Sequence, residues 1–301
     1  MMQLLAFLLA LAVAAPASAQ EPVRVGSKID TEGALLGNIV LAMLDNAGIK
    51  TENKLQLGPT KIVRAALLAG EIDLYPEYTG NAAFFFNDDA DPAWKDAAKG
   101  AEKARALDRE RNKLAWLEPA PANNSWAIAV RSDVASAEKL ETMADFARWV
   151  AGGGKAKLAA SAEFVESPAA LPSFERVYGF HLGADRLVVL AGGDTAATIR
   201  AAAERTSGVN CAMAYGTDGA LAALGLAVMS DPKGAQIVYR PAPVARQAVL
   251  DAHPEIAKTL DPVFATLDLA TLQNLNAKIA VDGEDAAEVA RGYLKAKRFL
   301  K

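Results

Sequence analysis

Three features of this 301-residue sequence predict an α/β fold arranged as two lobes. Short apolar stretches of strand length alternate with amphipathic stretches of helical period; a polar, proline-rich segment interrupts the alternation; and the alternation then begins again. Strands separated by helices imply parallel pairing, with helices layered on a sheet. At 52% hydrophobic and 23% charged residues, the chain can bury a substantial core, which excludes a disordered or fibrous protein.

The first nineteen residues carry no Lys, Arg, Asp or Glu, run apolar from Leu4 through Ala15, and end in Ala17-Ser18-Ala19, the small-x-small pattern of a signal peptidase site. Residues 1–19 are therefore expected to be a signal peptide cut before Gln20, with the mature protein exported to the periplasm. The apolar run is shorter than the ~20 residues of a membrane span. Cys211 is the single cysteine and lies far from this segment, which excludes an intrachain disulfide and a lipid anchor at the cleavage site. A net charge of −4 disfavours nucleic acid as a partner.

After the signal, Val23-Arg24-Val25 reads as a strand. A helix with Leu35, Leu36, Ile39, Val40, Met43 and Leu44 on one face follows and stops at Gly48. A strand around Leu55-Gln56-Leu57 leads through Gly58-Pro59-Thr60 into a helix ended by Gly70, then into the strand Ile72-Asp73-Leu74-Tyr75. Ligands bind beyond the carboxyl ends of such strands, where Lys28, Thr60, Tyr78 and Thr79 fall. The stretch from Glu118 to Asn124 reads as a crossing to a second lobe. That lobe begins with the strand Trp126 to Val130 and continues through Leu158-Ala159-Ala160, Leu187 to Leu190, an Ala-rich helix from about Asp194 to Arg205, and the strand Val209 to Ala214. An extended piece around Ile237-Val238-Tyr239 precedes a helix-rich tail, Pro243 to Lys297, placed back on the first lobe. The expected division is 20–124 and 238–301 for the first lobe and 125–237 for the second.

Aromatic residues make up 7% of the chain, yet Tyr75, Tyr78, Trp126, Tyr215 and Tyr239 all fall where strands end. A methylated ammonium cannot donate a hydrogen bond, so aromatic faces are the favourable way to hold it, each contributing ~0.5–2 kcal/mol. Packing is the alternative role for any single ring. Lys28, before a helix N-terminus, could pair with a ligand carboxylate, or stand as a solvated surface lysine; Asn81, Asn123 and Asn124 could add neutral hydrogen bonds. Catalytic and metal signals are poor. His181 and His253 have no partners at metal-ligand spacing. Gly152-Gly153-Gly154-Lys155 lacks the Ser or Thr and the glycine spacing of a phosphate loop. Glu71, Asp73 and Glu77 cluster without a defined partner, and Asp218 reads as a turn or cap residue. No cofactor, metal or catalytic residue is expected. An exported hydrolase using Asp218 or Glu77 is the remote alternative.

The segments GSKIDTEGALLGNIV from Gly26, GEIDLYPEYTGN from Gly70, NNSWAIAV from Asn123, AYGTDG from Ala214 and LQNLNAKIAVDG from Leu272 resemble the quaternary-amine (glycine betaine, choline, carnitine) substrate-binding proteins of ABC importers, and are most similar to the OsmF/YehZ-type branch. The resemblance runs across nearly the whole mature chain. It implies a type II periplasmic binding protein that closes on its ligand by hinge motion, acts as a monomer and hands its ligand to permease subunits at the inner membrane. It also implies a cage of Tyr78, Trp126, Tyr215 and Tyr239, with Lys28 and Asn81 near the ligand carboxylate. Trp126 stands where tyrosine is usual. Relatives often place an arginine after a glutamate-phenylalanine pair to grip the carboxylate; here the run is Glu163-Phe164-Val165-Glu166-Ser167, which implies a lower affinity. Glycine betaine is the expected ligand, with choline, carnitine or another small cation as alternatives.

Overall fold

A computed structural model of the chain describes residues 21–190 and 195–301. The expected signal segment and Asp194 lie outside these. Among the described residues, ten strands form two five-stranded sheets. The first sheet holds β1 (Val23–Lys28), β2 (Thr51–Gly58), β3 (Leu74–Tyr78), β4 (Leu114–Trp116) and β10 (Pro241–Arg246), in the order β2-β1-β3-β10-β4. The second holds β5 (Trp126–Arg131), β6 (Leu158–Ser161), β7 (Leu187–Leu190), β8 (Cys211–Tyr215) and β9 (Leu226–Val228), in the order β7-β6-β8-β5-β9. In each sheet the parallel strands carry the helices between them, and one late or early strand, β10 or β5, runs antiparallel to its neighbours.

Strand β10 departs from the sequence expectation, which ran the helical tail from Pro243. Prolines at 241 and 243 argue against an interior strand because each lacks an N–H. The register resolves this. Pro241 and Pro243 use their carbonyls toward Ala120 N and Leu117 N, and within an antiparallel strand a residue's N–H and C=O point the same way. The missing donors therefore face the irregular segment beyond β4, where no ladder bond is lost. Two other expectations are corrected. Tyr75 lies inside β3, fully buried in the core rather than at a strand end. Asp73 does have a partner: it accepts from the Arg24 guanidinium at 2.8 and 2.9 Å.

Helices from the C-terminal tail close the first lobe. Ile256, Leu260, Phe264, Leu272 and Leu294 share one apolar cluster with Val25, Leu35, Ile39 and Leu44 of the N-terminal unit. The second lobe has its own core around Ile128, Phe146, Leu158, Phe164 and Phe174. Two irregular segments, 117–125 and 229–240, pass between the sheets. They are tied to one another: Asn124 N donates to the Tyr239 carbonyl and Tyr239 N to Asn123 Oδ1, both at 2.9 Å. Such a double crossing is a natural hinge. No helix among the described residues is long and apolar enough to cross a membrane.

Candidate functional site

The carboxyl ends of β1, β3 and β8 face a cavity of about 1040 Å³ between the two sheets. Their terminal residues are Lys28, Tyr78 and Tyr215. Trp126 opens β5 and pairs directly with Tyr215 across the sheet, and Tyr239 comes from the second crossing segment. Seven of the residues singled out from the sequence line this one cavity: Lys28, Tyr78, Asn81, Asn124, Trp126, Tyr215 and Tyr239; Asn123 does not, and its Oδ1 accepts from Ser125 Oγ and Tyr239 N.

The four rings are held by different means. Trp126 and Tyr215 stack with centroids 6.4 Å apart and planes 22° from parallel, and Phe164 meets Trp126 edge-on at 5.8 Å. Tyr239 lies against the backbone of Gly80, where a Cβ would stand 2.8 Å from the ring. Gly80 has an ordinary φ of −64°, so glycine is required there by the close approach alone. Tyr78 is buried and donates its hydroxyl to Glu32 Oε1 at 2.7 Å. Burial, reinforced by Glu32, pushes the Tyr78 phenol far above its ordinary range, so it remains a donor. Burial also raises Tyr215 and Tyr239.

Lys28 is not a solvated surface lysine. It is 6% exposed, and its ammonium bonds Glu77 Oε1 at 2.5 Å while sitting 4.4 Å from the Tyr78 ring centroid. Glu77 is fully buried and takes three further donors: Tyr75 Oη at 2.6 Å, Tyr78 N at 2.7 Å and Asn81 Nδ2 at 2.7 Å. This saturated carboxylate fixes Lys28, Tyr78 and Asn81 relative to one another. A ligand reaching Lys28 meets an ammonium already neutralised by a buried partner.

Glu32 was missed in the sequence, where an acid in a helix's first turn reads as compensation for the helix dipole. It sits in the first turn of the helix Thr31–Asn46, 6% exposed, and lines the cavity. Besides Tyr78 it accepts from Asn276 Nδ2 at 2.7 Å and Asn124 Nδ2 at 3.3 Å. Burial raises its carboxyl to about 7 against the opposing hydrogen bonds from Thr217, Tyr78 and Asn276. Among the described residues, Asn124 and Asn276 each keep a buried amide oxygen with no hydrogen-bond partner. Aromatic faces, a carboxylate and bare carbonyl oxygens favour positive charge and polarised C–H groups, and the buried indole N–H of Trp126, also without a partner among the described residues, is a donor available to an acceptor on the ligand.

Of the other sequence candidates, Asp218 also lines this cavity, while His181 and His253 stand apart from it. His181 pairs with Glu175 and His253 with Glu255. No cluster of metal-ligating side chains occurs among the described residues. Asp218 accepts from Tyr215 N at 2.7 Å, closing the turn that carries the Tyr215 ring.

Residues 21–296 match the family described as the substrate binding domain of ABC-type glycine betaine transport system. The chain belongs to this family. The glycine betaine-binding protein YehZ of Escherichia coli (strain K12) is 61% identical over 96% of this chain and 95% of its own length. A glycine-betaine-binding protein of Pseudomonas aeruginosa is 30% identical over 93% of this chain and 89% of its own. The solved structure of apo YehZ from Escherichia coli superposes with a TM-score of 0.85, covering 93% of this chain and 100% of that one at 62% identity. The fold is thus that of the type II periplasmic binding proteins. The relatives are named for binding rather than catalysis. Where the family pattern suggests a carboxylate-gripping arginine, Val165 packs onto the second core, and Glu163 and Ser167 line the cavity instead.

Proposed function

We propose that this chain is a periplasmic, monomeric solute-binding component that captures a quaternary ammonium compatible solute, glycine betaine first, and delivers it to the permease subunits of an ABC importer at the inner membrane. The observation that carries the reading is the convergence of Tyr78, Trp126, Tyr215 and Tyr239 on one cavity that also holds the Glu32 carboxylate and the unpartnered amide oxygens of Asn124 and Asn276. The four rings would hold the methylated ammonium; Asn81, Asn124 and Lys28 would meet the rest of the solute. No bond is made or broken. Replacing Tyr78 with Ala is expected to weaken binding by at least ~1 kcal/mol through lost cation–π contact, measured by titration of the variant; an unchanged affinity removes Tyr78 from the cage.

A second reading, a net cation such as choline, is favoured by one feature. Lys28 is already paired with Glu77, while Glu163 and, above about pH 7, Glu32 add negative charge to the wall. A competition panel distinguishes the two: preference for the zwitterion supports glycine betaine, and preference for choline supports the cation.

A further inference from the structure

The helix Leu269–Ala280 belongs to the first lobe by its core, where Leu272 and Leu275 pack with Leu35 and Ile39. Its polar side reaches the second lobe. Gln273 Nε2 donates to the Gly216 carbonyl at 2.8 Å. Asn276, 4% exposed, donates from one nitrogen to Glu32 Oε2 at 2.7 Å and to the Thr217 carbonyl at 2.9 Å. At Gly219 a Cβ would stand 2.1 Å from Ala277 N. Its φ of −67° suits any residue, so only contact with the helix demands glycine. Three independent contacts therefore seat the turn Tyr215–Gly219 on a helix of the opposite lobe.

We propose that Asn276 is a positioning residue that latches the two lobes, tying Glu32 of the first to the Thr217 carbonyl of the second and so setting the separation of the Tyr78 and Tyr215 rings. The latch acts through Glu32 and the 215–219 turn. Its consequence for affinity rests on the cage reading; its effect on the ligand-free protein does not. Lobes joined by a hinge move apart by default unless contacts hold them. A buried amide shared by a carboxylate and a carbonyl is a strong contact, because its removal leaves two buried acceptors short of a donor. Loss of the latch lowers the closed population, and apparent affinity falls in proportion, on the order of tenfold.

The test needs no ligand. Spin labels on Lys50→Cys and Glu138→Cys, exposed positions on the two lobes, report the inter-lobe distance, and Cys211 is fully buried and stays unlabelled. Asn276→Ala removes the hydrogen bonds; Gly219→Ala inserts a methyl group between turn and helix. Both are expected to shift the ligand-free distance distribution to longer values. If neither shifts it, or if only Gly219→Ala does, the latch is overturned whatever the cavity binds. Should Asn276→Ala fail to fold, Asn276→Ser, polar but too short to span both acceptors, takes its place with the same expectation. Titration with the quaternary ammonium panel is read separately: silence of the unsubstituted protein across the panel refutes the cage and leaves the distances to judge the latch, whereas weakened binding by the variants alone is the latch's own expected effect.

Discussion

Replacing Glu77 with Ala is expected to cost about 3–5 kcal/mol of folding stability, because it strands a buried ammonium without its counter-charge. Lys28 and Glu77 are both buried, and Glu77 holds four donors at once. A buried ion pair need not be a net gain over apolar residues of the same volume, but breaking it from one side leaves the whole desolvation penalty of the other. The double variant Lys28→Met/Glu77→Leu is therefore expected to recover the part due to Lys28, while the Tyr75, Tyr78 N and Asn81 donors still lack their acceptor. Equilibrium urea unfolding of the three proteins measures this; a loss below about 1 kcal/mol for Glu77→Ala would mean Lys28 escapes to water. In the proposed site Glu77 also acts on the residues assigned to the solute. It holds Lys28 against one side of Tyr78 and fixes Asn81, so the cage is ordered before ligand arrives.

The second large effect is a pH dependence carried by Glu32. Its carboxyl is raised from 4.5 to about 7, chiefly by burial. The groups facing it are Tyr78 from β3, Thr217 from the second-lobe turn, Asn124 from the crossing and Asn276 from the tail helix, with the like charge of Asp30 nearby. Between these two pH values the native state holds a proton that the unfolded chain has lost, so stability falls as pH rises. The contribution is fully present below the unfolded value and is lost through about 7, amounting to roughly 3 kcal/mol for a shift of this size. Glu32→Gln should flatten the curve across that window; identical curves for the two proteins would remove Glu32 as the cause. A cationic ligand favours the ionised carboxylate, which reverses the sign for binding. Affinity is expected to rise with pH through this range, with proton release visible as a buffer-dependent heat in calorimetry.

How much of this was legible in the sequence differs by element. Period-two and helical stretches placed most of the strands that build the walls, and aromatic residues at or near strand ends pointed to one cavity because such ends converge in an α/β layer. Strand β10 was hidden by Pro241 and Pro243, whose cost depends on which neighbour their missing donors face, a fact of register rather than composition. Lys28 was legible as a position but not as a state, since its partner Glu77 lies 49 residues away. Glu32 and Asn276 are 244 residues apart, and no local pattern announces their bond. Tyr75 resembled Tyr78 in sequence, yet two residues along β3 separate a core ring that supports Glu77 from a ring that faces the cavity.

On the proposed reading, the four rings recognise a quaternary ammonium by its charge as well as its shape. The most direct measurement is calorimetric titration of the chain from Gln20 onward, carried to millimolar ligand, with glycine betaine, choline, carnitine and proline betaine, alongside 3,3-dimethylbutanol, which presents the shape of choline without its charge. Saturable binding of at least one quaternary ammonium is expected, lost or much weakened for the neutral alcohol and for the Tyr78→Ala variant. Silence across the quaternary ammonium compounds, or binding of the neutral alcohol as tight as choline, would contradict it and return the rings to a packing role.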